Sequence, residues 1–455
     1  MLLKNLKNKN ILLWGLGTEG SAVLDYLQKH NLSGNIRIYS DKPFDIPDKY
    51  KEMNVYFGDE LQELLPQMDV IIKSPGVSAY RDEIVRAKEE GILVTSSSDI
   101  FLDEIRTNQP HCKVIGVSGS KGKSTSVSAM YHMMKALGMN VGLGGNIGKP
   151  MIELIDGQYD YAVCEFSSYQ AADLHNSPHL AMFTNLYYVH GDWHRGHENY
   201  CRDKIHLIAN QKEDDVFFVN DRNEQLKEYC RPYNGKNKKF YNRPENFHAE
   251  GKELWWQNEC LLNINELKIN GNHNLDNLAG VFSILRELGL DIRAAAEALK
   301  TFEPLEHRLQ KVALCNGVLF INDSISTAPE AAIGGMKSFD EDMVLISGGQ
   351  YLEQNYDDYA RYVQENSKVK MVCALYQSGP YLAEALRKYV TRPDFVLLEP
   401  QTLEEAVAKA NEVLTADKGG IVLFSPTAPS FGFYKNFVER GRHFIGIVNE
   451  LIKGN

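Results

Sequence analysis

Short apolar runs recur along the chain, each followed by a glycine-rich or polar turn and then by a helical pattern. In the first hundred or so residues, Asn10–Trp14, Asn35–Tyr39, Val70–Lys73 and Ile92–Val94 read as strands, with a helix over Ser21–His30. Strands alternating with helices predict a parallel sheet with crossover helices. The rhythm restarts at Val114–Ser118, Tyr161–Glu165 and Met182–Leu186, and again at Val318–Asn322, Met343–Ser347, Val369–Leu375 and Gly420–Phe424. Polar breaks at Thr107-Asn108-Gln109-Pro110 and Phe302-Glu303-Pro304-Leu305 divide the chain into units over 1–107, 108–303 and 304–455. The turn-rich stretch 231–252 reads as an irregular surface insertion in the second unit. The expected fold is α/β in three domains: Rossmann-like, P-loop-type and Rossmann-like.

The strongest chemical signal is GSKGKST, residues 119–125, directly behind the apolar run Lys113–Val117. A strand, a glycine turn and a helix opening at Ser124, regular over Val127–Leu137, together form a phosphate cradle. Gly119, Ser120, Lys121 and Gly122 supply backbone N–H groups. Lys123 can reach the β/γ-phosphates, and Ser124 or Thr125 can offer a hydroxyl to Mg²⁺. The spacing is G-x-x-G-K-S-T, with Val117 where the commoner pattern has its first glycine.

A second glycine turn, Gly15-Leu16-Gly17-Thr18-Glu19-Gly20, follows the first strand. Asp41 stands about twenty residues on, where a dinucleotide fold places its ribose-binding acid. Alone, this fingerprint would suit an oxidoreductase, which leaves GSKGKST unexplained. Ser74-Pro75-Gly76-Val77-Ser78 adds backbone N–H groups at the same sheet edge. Two such turns point to two phosphorylated ligands, a triphosphate at the middle domain and a nucleotide diphosphate at the first.

Composition narrows the partners. The 455 residues carry a formal net charge of −11, which argues against nucleic acid or an anionic membrane as partner. No apolar run approaches the length of a membrane span, and MLLKNLKNKN is no secretory signal. The seven cysteines lie singly, as reduced thiols in a cytoplasm would.

Glu165 ends a strand in CEFSSYQ, and TNLYYVHGDWHRGHENYCRDK follows at 184–204. One carboxylate plus substrate phosphates is what Mg²⁺ requires, and Glu165 meets it. His190, His194 and His197 invite zinc, but no thiolate or H-E-x-x-H spacing supports that reading. His194 and His197 read as hydrogen-bonded loop residues, and Lys204 as a solvated helix lysine. With CO₂, however, Lys204 would become an anionic carbamate able to bind Mg²⁺.

These strings resemble the Mur ligase family, and within it the glutamate-adding, MurD-type branch. The similarity runs along the whole chain as nine ordered motifs: SPGVS, GSKGKST, GGNIGKP, EFSSYQ, YVHGDWH with Lys204, GNHNLDN, EHR, NDS, and SPTAPSF with FVERG. The resemblance implies UDP-binding, ATPase and amino-acid-binding domains. It implies that Lys204 is carbamylated and that Lys123, Glu165, His190 and Lys204 are catalytic. Ser124, Glu165, His190 and Lys204 would hold two Mg²⁺ ions. Asn274, Asn277, Arg308 and Asp323 match positions that hold ATP. Gly15, Leu16, Gly17, Thr18, Asp41 and Gly76 fall to the UDP substrate, and Asn146 to the substrate and nucleotide. Thr327, Ser430 and Phe437 match the glutamate pocket.

The implied reaction phosphorylates the carboxylate of UDP-N-acetylmuramoyl-L-alanine with ATP, and the glutamate amine then displaces phosphate. Both substrates must be held about 3 Å apart, which domain closure would provide. A folate-type ligase, the alternative acceptor class, has no need of a UDP domain. A monomer is expected.

The match breaks in the amino-acid pocket. The lysine expected after the glycine pair is absent from Ser347-Gly348-Gly349-Gln350-Tyr351-Leu352-Glu353-Gln354, and D-S-K-[AS]-T-N has become Asp323-Ser324-Ile325-Ser326-Thr327-Ala328. Either Lys337, Lys435 or Arg442 supplies the missing cation, or the pocket holds its ligand in another orientation. DWH with YCRDK, and PTAPSFG, resemble the variant that adds L-glutamate, so L-glutamate is the isomer expected and D-glutamate the alternative.

Overall fold

A computed structural model describes residues 3–32, 35–44, 46–187, 193–269, 271–303, 306–417 and 419–453. The chain separates into two compact units, Met1–Glu303 and Pro304–Asn455, and carries three parallel-sheet α/β domains.

The first sheet contains β1 (Asn10–Trp14), β2 (Asn35–Ser40), β3 (Val55–Phe57), β4 (Val70–Lys73) and β5 (Leu93–Thr95). All are parallel, in the order β3-β2-β1-β4-β5. Alternate β1 side chains enter opposite cores, Ile11 and Leu13 on one face and Leu12 and Trp14 on the other. Both faces are covered, so the strand reads as an unbroken apolar run. Each such side chain contributes about 1.5–3 kcal/mol by leaving water. The order reverses beside β1, which sets the turns after β1 and β4 next to each other at a ligand crevice.

The second sheet contains β6 (Lys113–Ser118), β7 (Val141–Gly145), β8 (Tyr161–Glu165), β9 (Leu180–Phe183), β10 (Val216–Asn220) and β11 (Asn237–Tyr241). Its order is β11-β10-β9-β6-β8-β7, all parallel. The turns after β6, β8 and β9 therefore share one edge. A small antiparallel sheet of β12 (Phe247–Glu250), β13 (Glu253–Trp256) and β14 (Glu259–Asn263) packs against helix Asn272–Glu287.

One apolar cluster runs from Ile100, Phe101 and Ile105 of helix Ser97–Asn108 to Met151, Ile152 and Ile155, which makes the first two sheets one unit. The same helix sends Arg106 to Asp215 at 2.9 Å, both side chains about 5% exposed or less.

The second unit contains β15 (Gln310–Cys315), β16 (Val318–Asn322), β17 (Met343–Gly348), β18 (Val369–Leu375), β19 (Val396–Leu398) and β20 (Gly420–Phe424). Their order is β15-β16-β20-β17-β18-β19, with β15 antiparallel at the edge. β20 returns between β16 and β17, so the loops after these three strands open together.

Two expectations are corrected. The stretch 231–252 is not an irregular insertion: it supplies edge strand β11 and then β12. An edge strand keeps one side in water and so reads as polar, yet Tyr241 is fully buried and its hydroxyl donates to Phe183 O at 2.8 Å. The strand expected over Met182–Leu186 instead ends at Phe183, because Thr184 and Asn185 turn away to hold the phosphate loop. Among the described residues no helix is long and apolar enough to cross a membrane.

Candidate active site

The chain leaves β6 at Ser118 and enters helix Lys123–Ala136 at Lys123, so Gly119–Gly122 form the turn. Gly122 has φ +85°, and a Cβ there would stand 2.2 Å from Asn277 Nδ2, so only glycine lets the GNHNLDN helix come this close. The turn after β9 fixes the loop from outside. Ser120 N donates to Asn185 O (2.9 Å), Lys121 N to Asn185 Oδ1 (2.8 Å), and Thr184 Oγ1 to Lys121 O (2.7 Å). Lys123 Nζ donates to Ser120 O at 3.2 Å and so stays over the loop. The positive end of the helix and the oriented N–H groups suit an anion.

Lys204 is not a solvated helix lysine. It lies on helix His197–Ile205, is 3% exposed, and donates from Nζ to Gly119 O at 3.0 Å. Burial first, and the charge of Lys123 second, hold its pKa well below the ordinary lysine value. Tyr200, one turn earlier, places its hydroxyl 2.7 Å from Ser120 Oγ and its ring 4.9 Å from Lys204 Nζ. The i, i+4 spacing puts both on the face that meets the loop.

His194 is hydrogen-bonded in a loop, as expected. It is fully buried, with Nδ1 2.6 Å from Asp203 Oδ2 and Nε2 3.0 Å from Ser168 Oγ. His197 is hydrogen-bonded too, to Gln225, but it opens the helix rather than lying in a loop. His190 and Asp192 lie outside the described residues.

Glu165, 1% exposed at the end of β8, accepts from Asn146 Nδ2 at 3.2 Å through Oε1. Its Oε2 is buried without a hydrogen-bond partner among the described residues. A buried carboxylate oxygen left open fits a cation that takes one protein carboxylate and completes its shell with phosphate and water oxygens, as Mg²⁺ does. No three His, Cys, Asp or Glu side chains converge as a metal group among the described residues. Ser124, 2% exposed, lies in the first turn of the helix Lys123–Ala136.

At the first sheet, Gly15 N donates to Tyr39 O (2.9 Å) and Ser74 Oγ to Gly15 O (2.7 Å), locking the two glycine-bearing turns together. Leu16 and Gly17 complete the turn, and Thr18 opens the helix Thr18–Lys29. Asp41 pairs with Arg81 at 2.8 Å, and that guanidinium lies 4.9 Å over the Trp14 ring. Gly76 O accepts from Trp193 Nε1 at 3.2 Å, and Ser78 Oγ donates to Trp193 O at 2.6 Å, tying this turn to the segment before Lys204.

In the second unit, Asp323 follows β16, is 3% exposed, and accepts from Ser326 Oγ (2.5 Å), Ser425 Oγ (3.0 Å) and Leu309 N (3.2 Å). Burial outweighs these bonds and raises its pKa to about 6. Arg308 lies just before β15, with Nε buried and unpaired among the described residues. Thr327 is exposed, Ser430 buried, and Phe437 half-buried at the start of helix Phe437–Lys453. Lys337 lies over the Tyr362 ring at 5.2 Å. Lys435 is exposed, and Arg442 is exposed beside Glu306.

Residues 9–96 match the Mur ligase MurD-like N-terminal domain, and residues 117–285 match the Mur ligase middle domain. UDP-N-acetylmuramoyl-L-alanine--L-glutamate ligase of Xanthomonas axonopodis pv. citri is 30% identical over 98% of this chain and 96% of its own. The chain belongs to the Mur ligase family. It is an ATP-dependent amide-forming ligase of peptidoglycan synthesis. UDP-N-acetylmuramoylalanine--D-glutamate ligase of Clostridium tetani is 28% identical over 98% of each chain. UDP-N-acetylmuramate-alanine ligase MurC of Thermotoga maritima shares the fold, with TM-score 0.56 at 18% identity, covering 97% of this chain and 100% of that one.

Within the first unit of the ligase, the structure brings together Gly119–Thr125, Asn146, Glu165, Lys204 and Asn277, with Asn274 on the same helix as Asn277. Sequence reading missed Tyr200, Thr184, Asn185 and Trp193. Helical spacing to Lys204 would have found Tyr200. Nothing local marks the other three, because they act through loops that only sheet order brings together.

Proposed function

We propose that this ligase joins glutamate to UDP-N-acetylmuramoyl-L-alanine with cleavage of ATP to ADP and phosphate, acting in the cytoplasm as a monomer. The observation that carries this reading is the meeting, at one sheet edge, of a phosphate loop, a buried carboxylate with one open oxygen and a buried lysine. The locked glycine turns of the first sheet supply a second diphosphate-type site in the same unit, assigned to the UDP portion through Gly15–Thr18, Asp41, Gly76 and Asn146.

A carboxylate is a poor acyl donor, since oxide would have to leave. Transfer of the γ-phosphoryl group makes an acyl phosphate; the amine then adds to the carbonyl carbon, and inorganic phosphate departs with the C–O bond pair. Lys123 and the loop N–H groups oppose the charge gathering on the phosphoryl oxygens. Mg²⁺, held by Glu165 with Ser124 and His190, would neutralise phosphate charge when bound. Lys204 is deeply buried, and burial lowers its pKa, which favours the uncharged amine that CO₂ requires to form a carbamate. Asn274, Asn277, Arg308 and Asp323 are assigned to ATP, and Thr327, Ser430 and Phe437 to glutamate.

For the isomer we favour L-glutamate. The 30% identity over nearly the full length to the L-glutamate ligase, and the two lysines replaced in the amino-acid loops, support it. The D-glutamate ligase at 28% keeps the D isomer as the second reading. The test is ADP release with UDP-N-acetylmuramoyl-L-alanine, ATP and Mg²⁺, run separately with each isomer. Turnover with L-glutamate alone is expected. Turnover with D-glutamate alone reverses the isomer, and turnover with neither removes glutamate as the substrate.

A further inference from the structure

One buried cation of the second unit has no role so far. Arg440, in helix Phe437–Lys453, is 0% exposed. Its Nε donates to Ser324 Oγ (3.1 Å), its Nη2 to Ser324 O (2.8 Å) and its Nη1 to Ala428 O (2.9 Å). All three acceptors are neutral, and no ion pair joins the guanidinium to a carboxylate among the described residues. Burial lowers its pKa to about 10, which still leaves it charged near neutrality. Such a charge is costly to bury, and neutral acceptors offset the loss only in part.

Its partners place it. Ser324 lies in the loop after β16 that carries Thr327, and Ala428 in the loop after β20 that carries Ser430. A Cβ at Gly349, after β17, would stand 2.9 Å from Nη1. Because β20 lies between β16 and β17, these loops are neighbours. Gly348 N donates to Pro426 O (2.7 Å) and Gln350 N to Pro429 O (2.8 Å), which joins two of them directly. Ser324 Oγ, which accepts from Arg440, also donates to Phe437 O at 2.8 Å. The guanidinium thus touches the loops of Thr327 and Ser430, and it lies against Gly349, next to the position where the family pattern has its lysine.

We propose that Arg440 is the positioning cation of the amino-acid pocket: it pins the Thr327 and Ser430 loops together, and its uncancelled charge draws in a dicarboxylic amino acid. This rests on the reading of glutamate as substrate. A planar fork can hold carbonyls of two loops at once, whereas an ammonium is a single point charge. Lys337, Lys435 and Arg442, the replacements expected from sequence, lie on a tyrosine ring or on the exposed surface.

The test compares full-length wild type, Arg440→Met and Arg440→Lys in steady-state assays with ATP, Mg²⁺ and UDP-N-acetylmuramoyl-L-alanine. Arg440→Met is expected to raise the KM for glutamate at least tenfold while the KM for ATP stays within twofold. Arg440→Lys, which restores charge without the fork, should fall between. A glutamate KM within twofold of wild type overturns the proposal, as does a parallel rise in every KM. If circular dichroism shows that neither variant folds, Arg440 serves stability and the proposal is overturned. A wild type that uses neither glutamate isomer sinks the functional reading and this proposal with it; a wild type that uses glutamate isolates the role of Arg440.

Discussion

Lys204 Nζ donates to the carbonyl oxygen of Gly119 at 3.0 Å, so a helix that follows β9 ends against the first residue of the turn that follows β6. The bond places an amine whose charged form burial disfavours within the field of both Lys123 and Glu165. It also explains why a residue far along the chain belongs to the phosphate site. Lys204→Ala should abolish turnover, and a short-chain carboxylic acid added in millimolar amounts should restore part of it by standing in for a carbamate. ADP release with and without the acid measures this; a folded variant that no acid rescues would count against the carbamate.

Lys123→Ala should lower kcat by on the order of a thousandfold, because it removes the cation held over the phosphate loop. Binding of the UDP substrate, read by calorimetry, should be unchanged, since its turns lie on the first sheet. Retained turnover would remove the phosphate loop from the chemistry.

Tyr200→Phe deletes the hydroxyl 2.7 Å from Ser120 Oγ and leaves the ring beside Lys204. Loss of one such bond is worth about 1 kcal/mol, or about fivefold in the KM for ATP. The KM for glutamate should not move.

Asp323 links stability to pH. Folding raises its pKa from 3.8 to about 6, so the folded state holds a proton that the unfolded chain has released. Its contribution is complete below about pH 4 and is lost as pH rises to about 6, on the order of 3 kcal/mol in all. Asp323→Asn should flatten that slope. Amide exchange in β16 and β20, compared between pH 4.5 and 7 after correction for intrinsic rates, would detect it.

Arg106 and Asp215 form a buried pair, and Arg106 Nη1 also donates to Ser177 O at 2.7 Å. Arg106→Met alone should cost about 3–5 kcal/mol by stranding the carboxylate, and adding Asp215→Leu should recover much of it. Denaturant unfolding of the single and double variants measures the difference.

Six strands are legible to the residue, β1, β4, β8, β16, β18 and β20, whereas interior β9 begins and ends earlier than its pattern suggests and interior β10 was not read from the sequence. Burial on both faces leaves the six stretches mainly apolar, with polar residues such as Asn10, Glu165 and Asn322 at their ends and Lys370 within β18. β11 escaped because an edge strand solvates one side, and Asn237, Lys238 and Lys239 resemble a loop. The phosphate loop was legible because its chemistry is local: glycines, lysine and hydroxyls must follow one another. Tyr200 and Lys204 were half legible, since their spacing puts them on one helix face without saying what that face meets.

By itself the order of residues determined the α/β alternation, the two glycine turns, the candidate nucleotide chemistry and the absence of two lysines from the amino-acid loops. Each is a property of neighbours along the chain, where turn geometry and side-chain periodicity act. Tertiary structure alone decided that Lys204 is buried against Gly119, that Glu165 keeps an open oxygen, and that Arg440 lies beneath the Thr327 and Ser430 loops. Those facts depend on which strands become neighbours in a sheet. That is settled by the shared burial of residues far apart in sequence, and no local pattern records it.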